Sequence, residues 1–340
     1  MSRPTPRHTA RRTVVAAVAG ALALATAGCG ATDALVGLHP APAEASAAAP
    51  LDAEGATGIA ARLLAAERAV AGVPGAKGDT ARAAVLRGDA LLLANAVAAR
   101  GQAVATTAEL SKAPEPTVLA QSRGRGWPRA ILATTLDPTT STQVLHVMVS
   151  LTPTDPFRIA SSVGMFGGAE LPALGSEQAG APFVEASDGT GLVLSPEKAL
   201  AAYAAALARP APSKPPASVS VDDAFGAALA ASAARQSKAL GTLASLRQRH
   251  VAIPKGTVAF RLADGGVVAF GLLQRTDTIA VRAGAKELVL PRRYAELVGK
   301  TKVTTSVSLK SLEPVVLIVP TEGDVTAIGA SEILVSGTGR

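Results

Sequence analysis

Cysteine is almost absent: Cys29 stands alone in 340 residues, so no disulfide inside the chain braces the fold. Aromatic residues make up only 3% against 48% hydrophobic overall, which leaves mainly Ala, Val and Leu to build cores from many modest burials. Four histidines occur, at positions 8, 39, 146 and 250, and none has ligand spacing to another histidine or to Cys29. Gly164-Met165-Phe166-Gly167-Gly168 follows a strand pattern into no helix pattern, so it reads as a turn rather than a phosphate cradle. No nucleophile elbow occurs, and Ser111-Lys112 and Ser213-Lys214 stand in loop-like sequence without supporting motifs. These gaps leave no catalytic or metal-ligating set to name and call for no cofactor.

The apolar run from Val14 to Ala27 spans only 14 residues. That is short of the ~20 needed to cross a bilayer. Ahead of it stand Arg3, Arg7, Arg11 and Arg12, and the first acid is Asp33. A basic start, a short apolar core and small residues at its end describe an export signal over residues 1–28. Thr26-Ala27-Gly28-Cys29 resembles the lipobox of bacterial lipoproteins. The resemblance implies a diacylglyceryl group on the Cys29 sulfur and a protein held by lipid on the extracytoplasmic face of the cell membrane. Ala25-Thr26-Ala27 also fits an ordinary signal cut, which would leave Cys29 a free thiol open to oxidation. The formal charge of +7 includes the four signal arginines; the remaining 29 Lys and Arg against 26 Asp and Glu leave +3. So small an excess does not point to nucleic acid as a partner.

Residues 29–50, with Pro40-Ala41-Pro42-Ala43-Glu44-Ala45-Ser46, read as a flexible tether. Residues 51–208 read as a first domain. Ile59, Leu63, Ala66 and Val70 share one helical stripe, and a second helical stretch covers 80–99. The period then changes to strands over 117–121, 128–136, 142–151 and 157–163, with a short strand near 192–194. Ser195-Pro196-Glu197 starts a closing helix that runs to about Ala208. The prolines of 209–219 mark a semi-rigid linker, and residues 220–340 repeat the order of helix, then strands. A long helix follows Asp222-Asp223 and ends near His250, ahead of Pro254. Val258, Phe260 and Leu262 alternate on one strand and Val268, Phe270 and Leu272 on the next, with Asp264-Gly265-Gly266 as the hairpin between them. Val303 to Leu309, Val315 to Val319 and Asp324 to Val335 supply the last strands.

The fold class expected is therefore α+β, as two helix-plus-antiparallel-sheet domains compatible with cone-shaped units of the nuclear-transport-factor-two-like kind. Trp127-Pro128-Arg129, Ser141-Thr142-Gln143-Val144-Leu145-His146-Val147, Glu170-Leu171-Pro172-Ala173-Leu174 and Ala263-Asp264-Gly265-Gly266 carry a resemblance to uncharacterised secreted lipoproteins of actinobacteria. It implies a location and no catalytic residues. Arg123, Arg125 and Arg129 around Trp127 form the most suggestive binding cluster, able to stack on a sugar or pair with an anionic polymer. Arg292-Arg293-Tyr294 is a weaker cluster of the same kind. The expected role is a non-enzymatic binding or scaffold module for a cell-wall polymer or envelope protein, tied to the membrane through the Cys29 lipid. The competing role is a small-molecule binder or enzyme with a cone-fold pocket, using His146 and Asp264 as its polar groups.

Overall fold

Asp52 opens the folded chain as the N-cap of α1 (Ala53–Ala71), its carboxylate accepting from the Gly55 amide. The computed structural model describes residues 49–100, 115–124, 126–137, 140–176 and 179–340. The helical stretch expected over 80–99 is two helices, α2 (Gly75–Val85) and α3 (Gly88–Ala99). Leu86 is extended between them and pairs with Ile159, and Gly88 has φ +50°, a left-handed value that suits glycine. Strands β1 (Thr117–Gln121), β2 (Arg129–Asp137), β3 (Thr142–Ser150) and β4 (Arg158–Gly164) form one antiparallel sheet in chain order. After β5 (Phe183–Val184) comes α4 (Pro196–Ala206), with proline in its first turn. Residues 192–194 are not a strand.

The long helix α5 (Ala224–Leu240) is capped by Asp223 and stops at Gly241, short of His250. The residues from Ala244 onward belong instead to β6 (Ala244–Arg261), which pairs with β7 (Val267–Val281). A two-stranded pair, β8 (Leu288–Val289) and β9 (Lys302–Val303), flanks α6 (Arg292–Val298). The chain ends through β10 (Ser306–Val319), β11 (Thr326–Ala330) and β12 (Ile333–Gly339). The second sheet runs β11-β10-β7-β6-β5, with β12 on the remaining length of β10. Each strand pair in it is antiparallel.

The cores stack these elements in four layers. Ile131, Ala133, Met148 and Ile159 of the first sheet pack under α1, α2 and α3. Its opposite face, with Leu132, Leu145 and Val147, packs on Phe260, Phe270 and Val316 of the second sheet. Ala259, Leu273 and Leu317, on the far side of the second sheet, lie under Leu200 and Tyr203 of α4 and Phe225 and Leu229 of α5. The expected cone-shaped units are thereby corrected: several antiparallel sheets form, and none is closed or curled into a cone. The physical reason is visible in the strands. Where both faces of a sheet are apolar, layers must cover both, and neither sheet is left to wrap a pocket.

Residues on both sides of 209–219 share this architecture, for β5 precedes that segment and its partner β6 follows it. Arg209 exchanges two backbone hydrogen bonds with Gln248, at 2.9 and 2.7 Å, and the Ser220 amide donates to the Val325 carbonyl at 3.0 Å. Ala47–Arg340 forms one compact unit.

Candidate functional site

Of the residues singled out in the sequence, Cys29 and Arg125 lie outside the described residues. Arg123 donates to the carbonyls of Ala179 and Gly180, at 3.1 and 3.2 Å, so its guanidinium ties the β1–β2 connection to the loop before β5. Arg129 stacks on Trp127 with its guanidinium carbon 4.5 Å from the ring centroid. The weaker cluster repeats that pattern, with Arg293 4.5 Å over Tyr294 and Arg292 paired to Glu296 at 2.7 Å.

His146 does not meet Asp264. Its Nε2 lies 2.9 Å from the Thr135 hydroxyl and its Nδ1 2.9 Å from the Ser162 hydroxyl. It is 6% exposed, and desolvation lowers its pKa from 6.5 to about 4, so the ring is neutral at physiological pH. Asp264 accepts from the Gly266 amide at 2.8 Å inside the β6–β7 turn. Asp223 likewise has structural partners: one oxygen caps α5 through Gly226, and the other accepts from Tyr203 Oη at 2.8 Å.

A buried ionic network escapes sequence reasoning. His250 donates through Nδ1–H to Glu313 Oε2 at 2.7 Å, both side chains fully buried. Arg275 reaches Glu313 at 3.2 Å, Asp277 at 3.1 Å and Glu332 at 2.5 Å. Strand register creates the cluster. His250 sits opposite Arg275, Gln248 opposite Asp277, and Ser311 opposite Arg275 on the other side. Burial raises the Asp277 pKa even beside Arg275. Among the described residues no group of three or more His, Cys, Asp or Glu could hold a metal ion. The network knits β6, β7 and β10 together, and within it His250 Nε2 is buried without a hydrogen-bond partner.

The alternation that turns Gln248 and His250 inward turns Arg247 and Arg249 outward. Across the second sheet they head two rows: Arg247, Thr278, Ser308 and Thr338, then Arg249, Thr276, Lys310 and Ser336. Adjacent strands lie about 4.8 Å apart, so each row crosses about 14 Å of sheet. Arg247, Arg249 and Lys310 are exposed and have no hydrogen-bond or ion-pair partner among the described residues. All other members of the two rows are hydroxyl residues, and none is acidic. This arrangement offers three unpaired cations and a lattice of hydroxyls on an open surface. The signal was present in the sequence as alternation over 245–251, masked by the polar residues on the buried side. Among the described residues no helix is long and apolar enough to cross a membrane. No protein-family model, no curated protein and no solved structure matches the chain.

Proposed function

We propose that the chain is a lipid-anchored, extracytoplasmic binding module that holds an anionic polymer of the cell envelope against the open face of its second sheet. The supporting observation is the two rows headed by Arg247 and Arg249, with Lys310 in the second. Three cations without internal partners pair with repeated negative charge, while the serines and threonines between them hydrogen-bond sugar hydroxyls or acidic oxygens. The export signal and the lipobox-like end at Cys29 support the location. Trp127 with Arg129 serves as a second, smaller contact, without Arg123, whose donors are engaged by Ala179 and Gly180. A non-enzymatic role fits His146, whose two ring nitrogens are both held by scaffold hydroxyls, Thr135 and Ser162.

Two measurements test the two halves of this reading. Cys29→Ser moves the protein from the membrane fraction to the soluble extracytoplasmic fraction; retention equal to the parent would remove the anchor. Combined Arg247→Ala, Arg249→Ala and Lys310→Ala weakens co-sedimentation of the full chain with purified wall material by about tenfold, the sum of three exposed charge contacts of about 0.5 kcal/mol each. Unchanged sedimentation would remove the face as the binding surface.

A further inference from the structure

Where α1, α2 and α3 meet the two sheets, the fold leaves a cavity of about 260 Å³. Its walls are largely apolar, with Leu86, Leu93 and Val97 among the lining residues. Two guanidiniums also line it, and their situations differ. Arg82 is committed through every nitrogen: Nε to Asn95 at 2.8 Å, Nη1 to the Val73 carbonyl at 2.7 Å and Nη2 to Asp79 at 2.5 Å. Arg68 has no hydrogen-bond or ion-pair partner among the described residues. Beside it in sequence, Glu67 also lines the cavity, and desolvation raises its pKa from 4.5 to about 7 against the opposing pull of Arg68. The serine hydroxyl that reaches the cavity from β4, Ser162, is held by His146.

We propose that this cavity binds a short aliphatic carboxylic acid, its chain against Leu86, Leu93 and Val97 and its carboxylate paired with Arg68. Size sets the chain length. At about 30 Å³ per water-sized group, the volume holds about nine heavy atoms, an acid of about seven or eight carbons. Charge sets the head group. A ligand ammonium would enter beside two guanidiniums with one carboxyl, partly protonated at neutral pH, to receive it, whereas a carboxylate gives Arg68 the partner it lacks. Protonated Glu67 donates a hydrogen bond to the bound carboxylate, and ionised Glu67 repels it. The charged groups facing Glu67 are Arg68 on its own helix and Arg82 from α2, the latter already neutralised by Asp79; the β11–β12 turn presents Ser331, and β4 presents Ser162, held by His146, which burial keeps neutral above about pH 4. Affinity for the acid therefore falls as pH rises through about 7. This site is separate from the basic sheet face, and neither inference depends on the other.

Isothermal titration of the full chain carrying Cys29→Ser, free of detergent, tests the site with octanoate, octylamine and octanol. Octanoate is expected to bind more tightly than octylamine. Arg68→Gln is expected to weaken octanoate by about tenfold and leave octanol unchanged, as loss of one charge-assisted pair requires. Ala94→Leu, which narrows the cavity, weakens octanoate and octanol alike. Glu67→Gln removes the decline in octanoate affinity between about pH 6 and pH 8. No measurable octanoate binding, octylamine binding as tight as octanoate, or indifference to Arg68→Gln would each overturn the proposal.

Discussion

Asp89, in the first turn of α3, abuts the β6 backbone so closely that a β-carbon on Gly256 would lie 2.2 Å from its Oδ1. Burial raises its pKa from 3.8 to about 7. The folded state therefore holds a proton that the unfolded state has released between those values, and this contribution to stability falls as pH rises through the window. Asp89→Asn is expected to raise Tm at pH 8 by roughly 8 °C, for a penalty of about 4 kcal/mol, and to leave Tm unchanged near pH 3.5. Equal effects at both pH values would contradict the assignment. His146 acts with the opposite sign. Its pKa is lowered to about 4, so the unfolded chain takes up a proton first as pH falls from 6.5, and stability is lost across that interval. His146→Phe strands the Thr135 and Ser162 hydroxyls at a cost of about 1–3 kcal/mol, readable as a lower urea midpoint at pH 7. That His146 lies on a strand was legible from its place between Leu145 and Val147, although its two hydroxyl partners were not.

At the scale of elements, β6 shows what hydropathy can and cannot reveal. From Val258 to Phe260 the strand is apolar and was legible, and so were its partner β7 and the Asp264-Gly265-Gly266 turn. From Ala244 to Pro254 the buried positions include Gln248 and His250, which face Asp277, Arg275 and Glu313 on strands distant in sequence. A strand whose inward face is polar shows no apolar alternation, so the segment resembled the end of a helix. Proline at 254 strengthened that impression, yet it falls in the irregular register between Ile253 and Val258, where the ladder does not need its amide. The network makes a direct prediction: Glu313→Ala leaves His250 and Arg275 buried without their shared carboxylate and destabilises the fold by about 3–5 kcal/mol. Chemical denaturation at pH 7 measures it, and a loss below about 1 kcal/mol would show that the network contributes little.

For the whole molecule, α1, the four strands of the first sheet and the starts of α4 and α5 were legible because each apolar stripe, alternation or cap is local. The stacking was not, because it depends on which face of each sheet meets which neighbour. Leu132 and Ile131 are both apolar and adjacent, yet one faces the second sheet and the other the helices. At one place the two sheets join by backbone: Met165 bridges Gly329, and the Phe166 amide donates to the Ile328 carbonyl at 2.9 Å. A β-carbon on Gly329 would lie 2.6 Å from the Gly164 carbonyl oxygen. Gly329→Ala therefore forces the sheets apart locally and should cost about 1–3 kcal/mol, seen as a lower Tm; an unchanged Tm would show that this junction yields freely. The open basic face was hidden for the same reason as the ionic network, since both depend on the unrecognised half of β6. The central claim, that this face binds an anionic envelope polymer, is tested most directly by equilibrium binding of the full chain to purified anionic wall polymer across a salt series. The parent should bind less tightly as salt rises, and combined Arg247→Glu, Arg249→Glu and Lys310→Glu should abolish binding at low salt without lowering Tm. Binding by the charge-reversed protein equal to that of the parent, or parental binding indifferent to salt, would contradict the account.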